Sequence, residues 1–323
     1  MPFDRLRLQE MKKTIKAFLK MFRLFWVVRL VRWVNAWVHG MIYCRLQRNV
    51  RYLYSYISFM MKKKRDGVYN VAANPRKTIS LLCPTRGRPV GAQHLVESVY
   101  RTAAIPKKIE ILFYVDSDDI YKDAYQLFAE RTKNRFKRLL RCEVFIGEPM
   151  SVSKSWNILA SKSKGDVFIM ANDDQIYVDY GWDIYLDNEI KKFPDEIYCM
   201  RFNDGVHGVD WHWIGPIVSR RWYETLGYFT PGIFEFWCND IWIGDIAKKI
   251  GRRHYLSDIV VEHVHYGFKK ALKDKTYQRH AVGAGKGSLN RDGELFWDTD
   301  RDRERAAEKL RKVMDNDRNK MGF

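Results

Sequence analysis

The sequence has little of what would make it a disulfide scaffold, a zinc enzyme or a membrane span. Its five cysteines, Cys44, Cys83, Cys142, Cys199 and Cys238, form no CxxC pair and are odd in number. A disulfide framework is therefore not what organises the chain, and a reducing compartment is expected. There is no HExxH motif and no paired-cysteine spacing, which argues against a zinc hydrolase with its compact His and Cys ligand set. A Walker loop and a GxGxxG turn are both missing, so phosphates would be handled by something other than a Gly-rich backbone cradle. No apolar run approaches the roughly 20 residues that span a bilayer, because Lys or Arg recurs throughout. The charges scattered through the first 30 residues also make a poor secretory signal. No internal repeat is present, and no low-complexity tract beyond a charged C-terminal stretch.

What is present is a chain of 323 residues, 46% hydrophobic and 30% charged, with a net charge of +18. That charge is not spread evenly: residues 1–70 hold 16 Lys+Arg against 3 Asp+Glu, a net +13, leaving +5 for the remainder. Residues 1–66 read as helical, basic and aromatic. Arg5, Lys12, Lys13, Lys16, Lys20 and Arg23 share one face of a helical wheel, with Phe18, Phe22 and Phe25 away from it. The polar stripe then shifts to Arg29, Arg32, Asn35 and His39, so a break near residues 24–28 is expected. Three readings stay open for this arm: a helix lying in the plane of a membrane surface, a helical subdomain packed on protein, and a nucleic-acid-binding segment. The expected location is cytoplasmic, on the cytoplasmic face of a membrane if the first reading holds.

Lys62–Arg65, Gly67 and Asn74-Pro75 read as a linker. From Arg76 the pattern alternates: strands over Thr78–Cys83, Ile109–Val115, Cys142–Ile146 and Val167–Met170, with helices over 91–102, 121–132 and 152–161 between them. That alternation predicts a doubly wound α/β sheet with right-handed crossovers. The second half is less regular, with strands expected at 197–202, 213–218 and 259–264 and helices at 220–226 and 239–250. The stretch 298–320 is densely charged and reads as a solvated helix or a partly disordered tail. The expected divisions are an arm and linker over 1–75, a main domain over 76–285 and a charged tail over 286–323.

Polar clusters follow several strands, where open α/β sheets bind ligands. Pro84, Thr85, Arg86 and Arg88 follow the first strand and suit a nucleobase or a diphosphate. Asp116 ends the second and could accept a hydrogen bond from the imide of a uracil-like base, while Lys154 and Asn157 on the next helix could face the same cleft. The apolar run 167–170 delivers Asn172, Asp173 and Asp174, and adjacent carboxylates suit a hard divalent cation. His263 and His265, two apart on an expected strand, share one face, and either could be a ligand.

In order and spacing these elements resemble the GT-A-fold glycosyltransferases of the family 2 type, over Thr78 to about His265, roughly 190 residues. Residues 79–89 look like the opening strand and donor loop, and 110–116 like the second strand with its base-binding Asp. Ser155-Trp156-Asn157 is similar to the family's element before the Gly-Asp strand, and Asn172-Asp173-Asp174 stands where its Asp-x-Asp metal motif stands. Residues 215–229 look like the acceptor-side segment. Asn239-Asp240 is similar to the Glu-Asp pair that carries the catalytic base. Two departures are visible: Asn172 replaces the first metal-motif Asp, and Asn239 replaces Glu beside the retained Asp240.

The resemblance implies a mostly parallel, Rossmann-like GT-A sheet flanked by helices. It also implies Mn²⁺ or Mg²⁺ held by Asp174 with His263 or His265 and Asn172 beside it, Asp240 as catalytic base, and inverting transfer from a UDP- or GDP-sugar. Trp211, Trp213, Trp237 and Trp242 are candidate sugar-stacking faces as well as candidate core residues. The acceptor stays open between a glycan or lipid-linked glycan at a membrane surface and a modified base in DNA, and a non-catalytic sugar-nucleotide or glycan-binding protein is the alternative outside enzymes.

Overall fold

The computed structural model describes residue 27 and residues 44–66, 77–208, 213–265, 270–271, 276 and 288–321. The chain divides into two compact units, Met1–Arg48 with His265–Leu272, and Asn49–Val264 with Lys273–Phe323. In the smaller unit the described residues are Val27, the start of helix α1 (Cys44–Asp66), His265, Lys270 and Ala271, and the Lys270 amide donates to the His265 carbonyl at 3.4 Å. The first 43 residues of the expected arm, Val27 apart, lie outside the described residues.

The larger unit is the α/β sheet that the alternation predicts. Its first half runs β1 (Ile79–Thr85), α2 (Pro89–Thr102), β2 (Ile109–Asp116), α3 (Lys122–Arg135), β3 (Arg141–Gly147), α4 (Val152–Lys162) and β4 (Val167–Met170). Then come β5 (Gln175–Tyr177), α5 (Trp182–Ile190), β6 (Cys199–Asn203), β7 (Ile217–Ser219), α6 (Arg220–Leu226), α7 (Asn239–Lys249), β8 (Arg253–His263), α8 (Ser288–Asp298) and α9 (Asp300–Met321). The strand order is β3-β2-β1-β4-β7-β6-β8-β5. Pairings among β3, β2, β1 and β4 and between β6 and β8 are parallel, whereas β7 runs antiparallel to β4 and β6, and β5 to β8.

Side chains alternate across the sheet, as the strand period of two requires. Leu81, Ile111 and Ile169 face a core built with α2, α3 and α5, while Leu82, Leu112 and Phe168 face one built with α4, α6, α7 and α9. All six are 2% exposed or less, each worth about 1.5–3 kcal/mol of hydrophobic burial. With both faces covered, the uninterrupted apolar runs of β1, β2 and β4 are explained. At the amino-terminal edge Gly165 permits the close approach of β4 to β1: a Cβ there would lie 2.0 Å from Ser80 Oγ.

Four expectations need correction. Lys62–Lys64 continue α1 rather than forming a linker, because nothing before Gly67 breaks the helix. The extended run expected from Trp213 begins only at Ile217, since Gly215 takes a left-handed φ of +62° that strand pairing does not tolerate. Strand β8 ends at His263, so His265 is not on its face. The C-terminal stretch is no tail: α8 and α9 belong to the larger unit, and Ala306, Ala307 and Leu310 are buried in the second core. Arg303, 2% exposed, stacks on Phe296 with its guanidinium carbon 3.9 Å from the ring centroid and donates from Nε to Asp245 of α7 at 2.7 Å.

Candidate functional site

The parallel register aligns the carboxyl ends of β1 and β2, with Thr85 opposite Val115 and the next residue Asp116 paired across to Gly147 of β3. Two loops leave these ends and are cross-linked by charge. Arg86 donates from Nη1 to Asp116 Oδ2 at 2.6 Å and grips Asp118 with both terminal nitrogens, the Nη2 bond to Oδ2 being 2.8 Å. The left-handed Gly87, at φ +73°, turns the chain so that its amide donates to Asp119 Oδ2 at 2.7 Å. Pro84 is half-buried within β1. Asp116 is thus already held by a guanidinium.

A hydrogen-bond chain runs from this loop to the β4 turn. The Arg88 amide donates to the Tyr125 hydroxyl at 2.7 Å, Tyr125 and Thr85 hydroxyls are 2.9 Å apart, and Thr85 donates to Asp173 Oδ2 at 2.6 Å. Arg88 Nη1 adds a bond to Asp173 Oδ1 at 3.0 Å and lies 3.6 Å from Asp174 Oδ2. Burial pushes Asp173 up to about 6, with Arg88 pulling down and the neighbouring Asp174 charge pushing further up. Beneath the turn, burial and then the charges of Asp173 and Asp174 raise the Cys83 thiol well above its usual range, so it stays protonated. Helix α2 reaches the turn only because residue 91 is glycine: a Cβ there would stand 2.5 Å from the Asp173 carbonyl oxygen.

His263 arrives from the other end of the sheet. Strand β5 follows directly on Asp174 and pairs antiparallel with the end of β8, Gln175 opposite His263, and the Val264 amide donates to the Asp174 carbonyl at 2.8 Å. His263 Nε2 therefore lies 3.3 Å from Asp174 Oδ1. Burial opposes a charge on the imidazole, but the hydrogen bond and charge of Asp174, with Asp204 and Asp240 adding, raise His263 above its ordinary value. The two carboxylates thus face the Arg88 guanidinium and the His263 imidazole.

Two ligands at about 2.1 Å from a six-coordinate cation stand about 3.0 Å apart at a right angle, close to the Asp174–His263 separation. These two side chains fit a divalent cation as a pair. Among the described residues no group of three or more His, Cys, Asp and Glu side chains is arranged for an ion. Asp173 is committed to Thr85 and Arg88. Asn172 is half-buried in the same turn, its amide donating to Gln175 Oε1 at 3.1 Å. His265 belongs to the smaller unit.

Asp240 lies in the first turn of α7, half-buried, its Oδ1 accepting from the Ile241 amide at 2.8 Å. Its charge is among those that raise His263. The preceding Cys238 takes a left-handed φ of +68°, and Asn239 Nδ2 donates to the carbonyls of Phe236 and Trp237 at 3.2 and 3.4 Å.

The residue that fixes this loop was invisible to motif reasoning. Asp292 of α8, fully buried, accepts the backbone amides of Glu235, Phe236 and Trp237 at 3.0, 2.9 and 2.8 Å. Asn157 plays a similar part: its Oδ1 accepts the amides of Phe229 and Thr230 at 2.8 and 2.9 Å, and its Nδ2 donates to the Thr230 carbonyl at 2.8 Å. Its side-chain amide is thus turned onto the backbone at 229–230. Lys154 is exposed in the first turn of α4. Among the tryptophans, Trp213 and Trp242 are 2% exposed and belong to the core, Trp213 packed so tightly on α7 that a Cβ on Gly244 would be 2.5 Å from its own. Trp237 is half-buried against Phe236, and Trp211 lies outside the described residues.

Sheet and cleft together define an α/β protein whose carboxylate-rich cleft sits at the carboxyl ends of parallel strands, where such sheets take nucleotides. No protein-family model and no curated protein matches the sequence. Among solved structures the chain is similar to S. aureus TarS 1-349 in complex with UDP, with 14% identity over 57% of this chain and 59% of that one, at a TM-score of 0.45. It is similar to the mannosyltransferase PcManGT from Pyrobaculum calidifontis in complex with GDP-Man and Mn²⁺, with 13% identity over 68% of each chain and a TM-score of 0.48. A third is GalNAc-T7 with UDP, GalNAc and Mn²⁺, with 15% identity over 59% of this chain and 44% of that one and a TM-score of 0.47. The chain thus spans less than two thirds of the length of TarS 1-349 and of GalNAc-T7.

Proposed function

We propose that this chain is a glycosyltransferase that moves a sugar from a UDP- or GDP-sugar to an acceptor hydroxyl, with inversion at the anomeric carbon. The observation that carries the reading is the pairing of Asp174 with His263 at 3.3 Å, within reach of the Asp240 charge, on the sheet edge where Arg86 holds Asp116. In this reading Asp116, with Pro84, Thr85 and Arg86 around it, receives the nucleoside. Arg88 and Lys154 face the diphosphate, with Asp173 fixing Arg88.

Asp174 and His263 would hold Mn²⁺ or Mg²⁺, with Asn172 in the same turn, and His263 must first lose its proton. When bound, the cation neutralises charge that develops on the departing nucleoside diphosphate. Asp240 takes the proton of the acceptor hydroxyl as its oxygen bonds to the anomeric carbon and the carbon–phosphate-oxygen bond breaks, its electron pair leaving with the diphosphate. A positioned general base contributes about 10²–10⁴-fold. The acceptor class we propose is a glycan or lipid-linked glycan.

The direct test offers the full chain a panel of nucleotide sugars and scores release of nucleoside diphosphate with Mn²⁺, with Mg²⁺ and with chelator. Slow hydrolysis of one UDP- or GDP-sugar, lost on chelation, is expected. Binding without hydrolysis of any donor would point to a sugar-nucleotide-binding protein instead.

A further inference from the structure

From Asn49 onward α1 shows two unlike faces. The inner one is committed: Arg51 makes a bidentate pair with Asp179 at 2.9 Å, Ser55 Oγ accepts the Tyr180 amide at 2.9 Å, and Phe59, 7% exposed, packs on Gly181. The outer face carries Val50, Leu53, Tyr54, Ile57, Met60 and Met61, all exposed, at 62%, 57%, 75%, 49%, 37% and 67%. At 3.6 residues per turn these six fall within an arc of about 120° opposite the inner face. Isolated surface hydrophobes need no explanation, but a continuous stripe of them does.

We infer that this outer face of α1 is a docking surface for an anionic lipid bilayer. Charge selects the occupant. Exposed Lys62, Lys63 and Lys64 follow the stripe directly, and α1 as a whole carries seven Lys and Arg against one acid, Asp66. A second copy of the chain would bring the same positive charge to the interface, and a nucleic acid has no use for six exposed apolar side chains. A bilayer surface offers both complements at once, an apolar boundary for the stripe and anionic headgroups for the lysines. Among the described residues, α1 included, no helix is long and apolar enough to span a membrane. Residues 179–181, gripped by the inner face, follow β5 and hence the Asp174 turn by a few residues. A bilayer on the outer face of α1 is therefore separated from residues 179–181 by the helix itself. The inference stands on the helix alone and does not depend on sugar transfer.

The test is flotation of the full chain with vesicles of phosphatidylcholine containing about 30% phosphatidylglycerol, against pure phosphatidylcholine. Binding is expected only to the anionic vesicles. It should fall about tenfold or more in L53E/I57E and severalfold in K62Q/K63Q/K64Q, with the circular dichroism melt and nucleotide binding unchanged because these side chains are exposed and remote from the cleft. Unchanged flotation of L53E/I57E would overturn the proposal. So would a wild-type dimer in sedimentation velocity that those two charges dissociate, which would assign the stripe to a second copy.

Discussion

The two sides of the cleft are held by different physics. On the side of β1, β2 and β4 the loops are cross-linked by the very charges offered to a ligand: Arg86 with Asp116 and Asp118, Arg88 with Asp173, His263 with Asp174. On the side of α7 the loop leading into Asp240 is held through its backbone, by Asp292 and by Asn239, and the segment before it by Asn157. The first side can rearrange when a nucleotide or cation competes for its partners. The second is fixed in place, because buried amide bonds to a carboxylate are costly to release.

The largest expected effect probes the fixed side directly. Asp240→Asn keeps the size of the side chain and removes its basicity, so turnover should fall by about 10²–10⁴ while nucleotide affinity by calorimetry stays within twofold. Turnover near wild type would take the base role away from Asp240.

Asp292→Ala strikes the same loop from behind. Three amides lose a buried charged acceptor, and with hydrogen bonds to charged groups worth about 1.5–3 kcal/mol each, the shared loss should reach about 3–5 kcal/mol in denaturant unfolding. Asp292→Asn retains an acceptor oxygen and should recover part of both stability and kcat, with KM for the donor little changed. A melt indistinguishable from wild type in Asp292→Ala would show that the loop is held elsewhere.

Gly91→Ala tests the adaptable side through packing. The added Cβ would meet the Asp173 carbonyl at 2.5 Å, forcing apart helix α2 and the metal-motif turn at about 1–3 kcal/mol. Weaker metal-dependent nucleotide binding is expected, with Asp240 chemistry intact once donor is saturating. Equal losses in kcat and affinity would mean that the two sides move together.

The same contrast governs what the sequence could reveal. On the adaptable side the residues that touch are those that end consecutive strands, so Arg86, Asp116, Asp173 and Asp174 could be located from apolar runs and turns alone. His263 was within reach only as a strand-end histidine. What brings it to Asp174 is the three-residue β5, too short for a periodicity to show. On the fixed side Asp292 binds backbone amides 55 to 57 residues away, and an amide leaves no signature in side-chain spacing. The helix at α9 is legible but its burial is not, for a related reason: Ala306, Ala307 and Leu310 form a narrow helical stripe that the surrounding charge conceals. Asn157 suggests a ligand contact because its polarity is visible in the sequence and its backbone partners are not.

The smallest effect, and the one most specific to the adaptable side, is in pH. His263 titrates above its ordinary value when folded, so its pairing with Asp174 contributes stability that is full below the unfolded imidazole value of about 6.5 and disappears as pH rises through the higher folded value. A divalent cation at Asp174 and His263 competes with that same proton. Nucleotide affinity in the presence of Mn²⁺ should therefore increase as pH is raised from 6 to 8.5, with proton release on binding visible as a buffer-dependent calorimetric enthalpy, whereas metal-free stability declines slightly over that window. His263→Gln should flatten both trends. An affinity that is independent of pH, with no buffer dependence, would separate His263 from the cation and leave its bond to Asp174 as a structural pair.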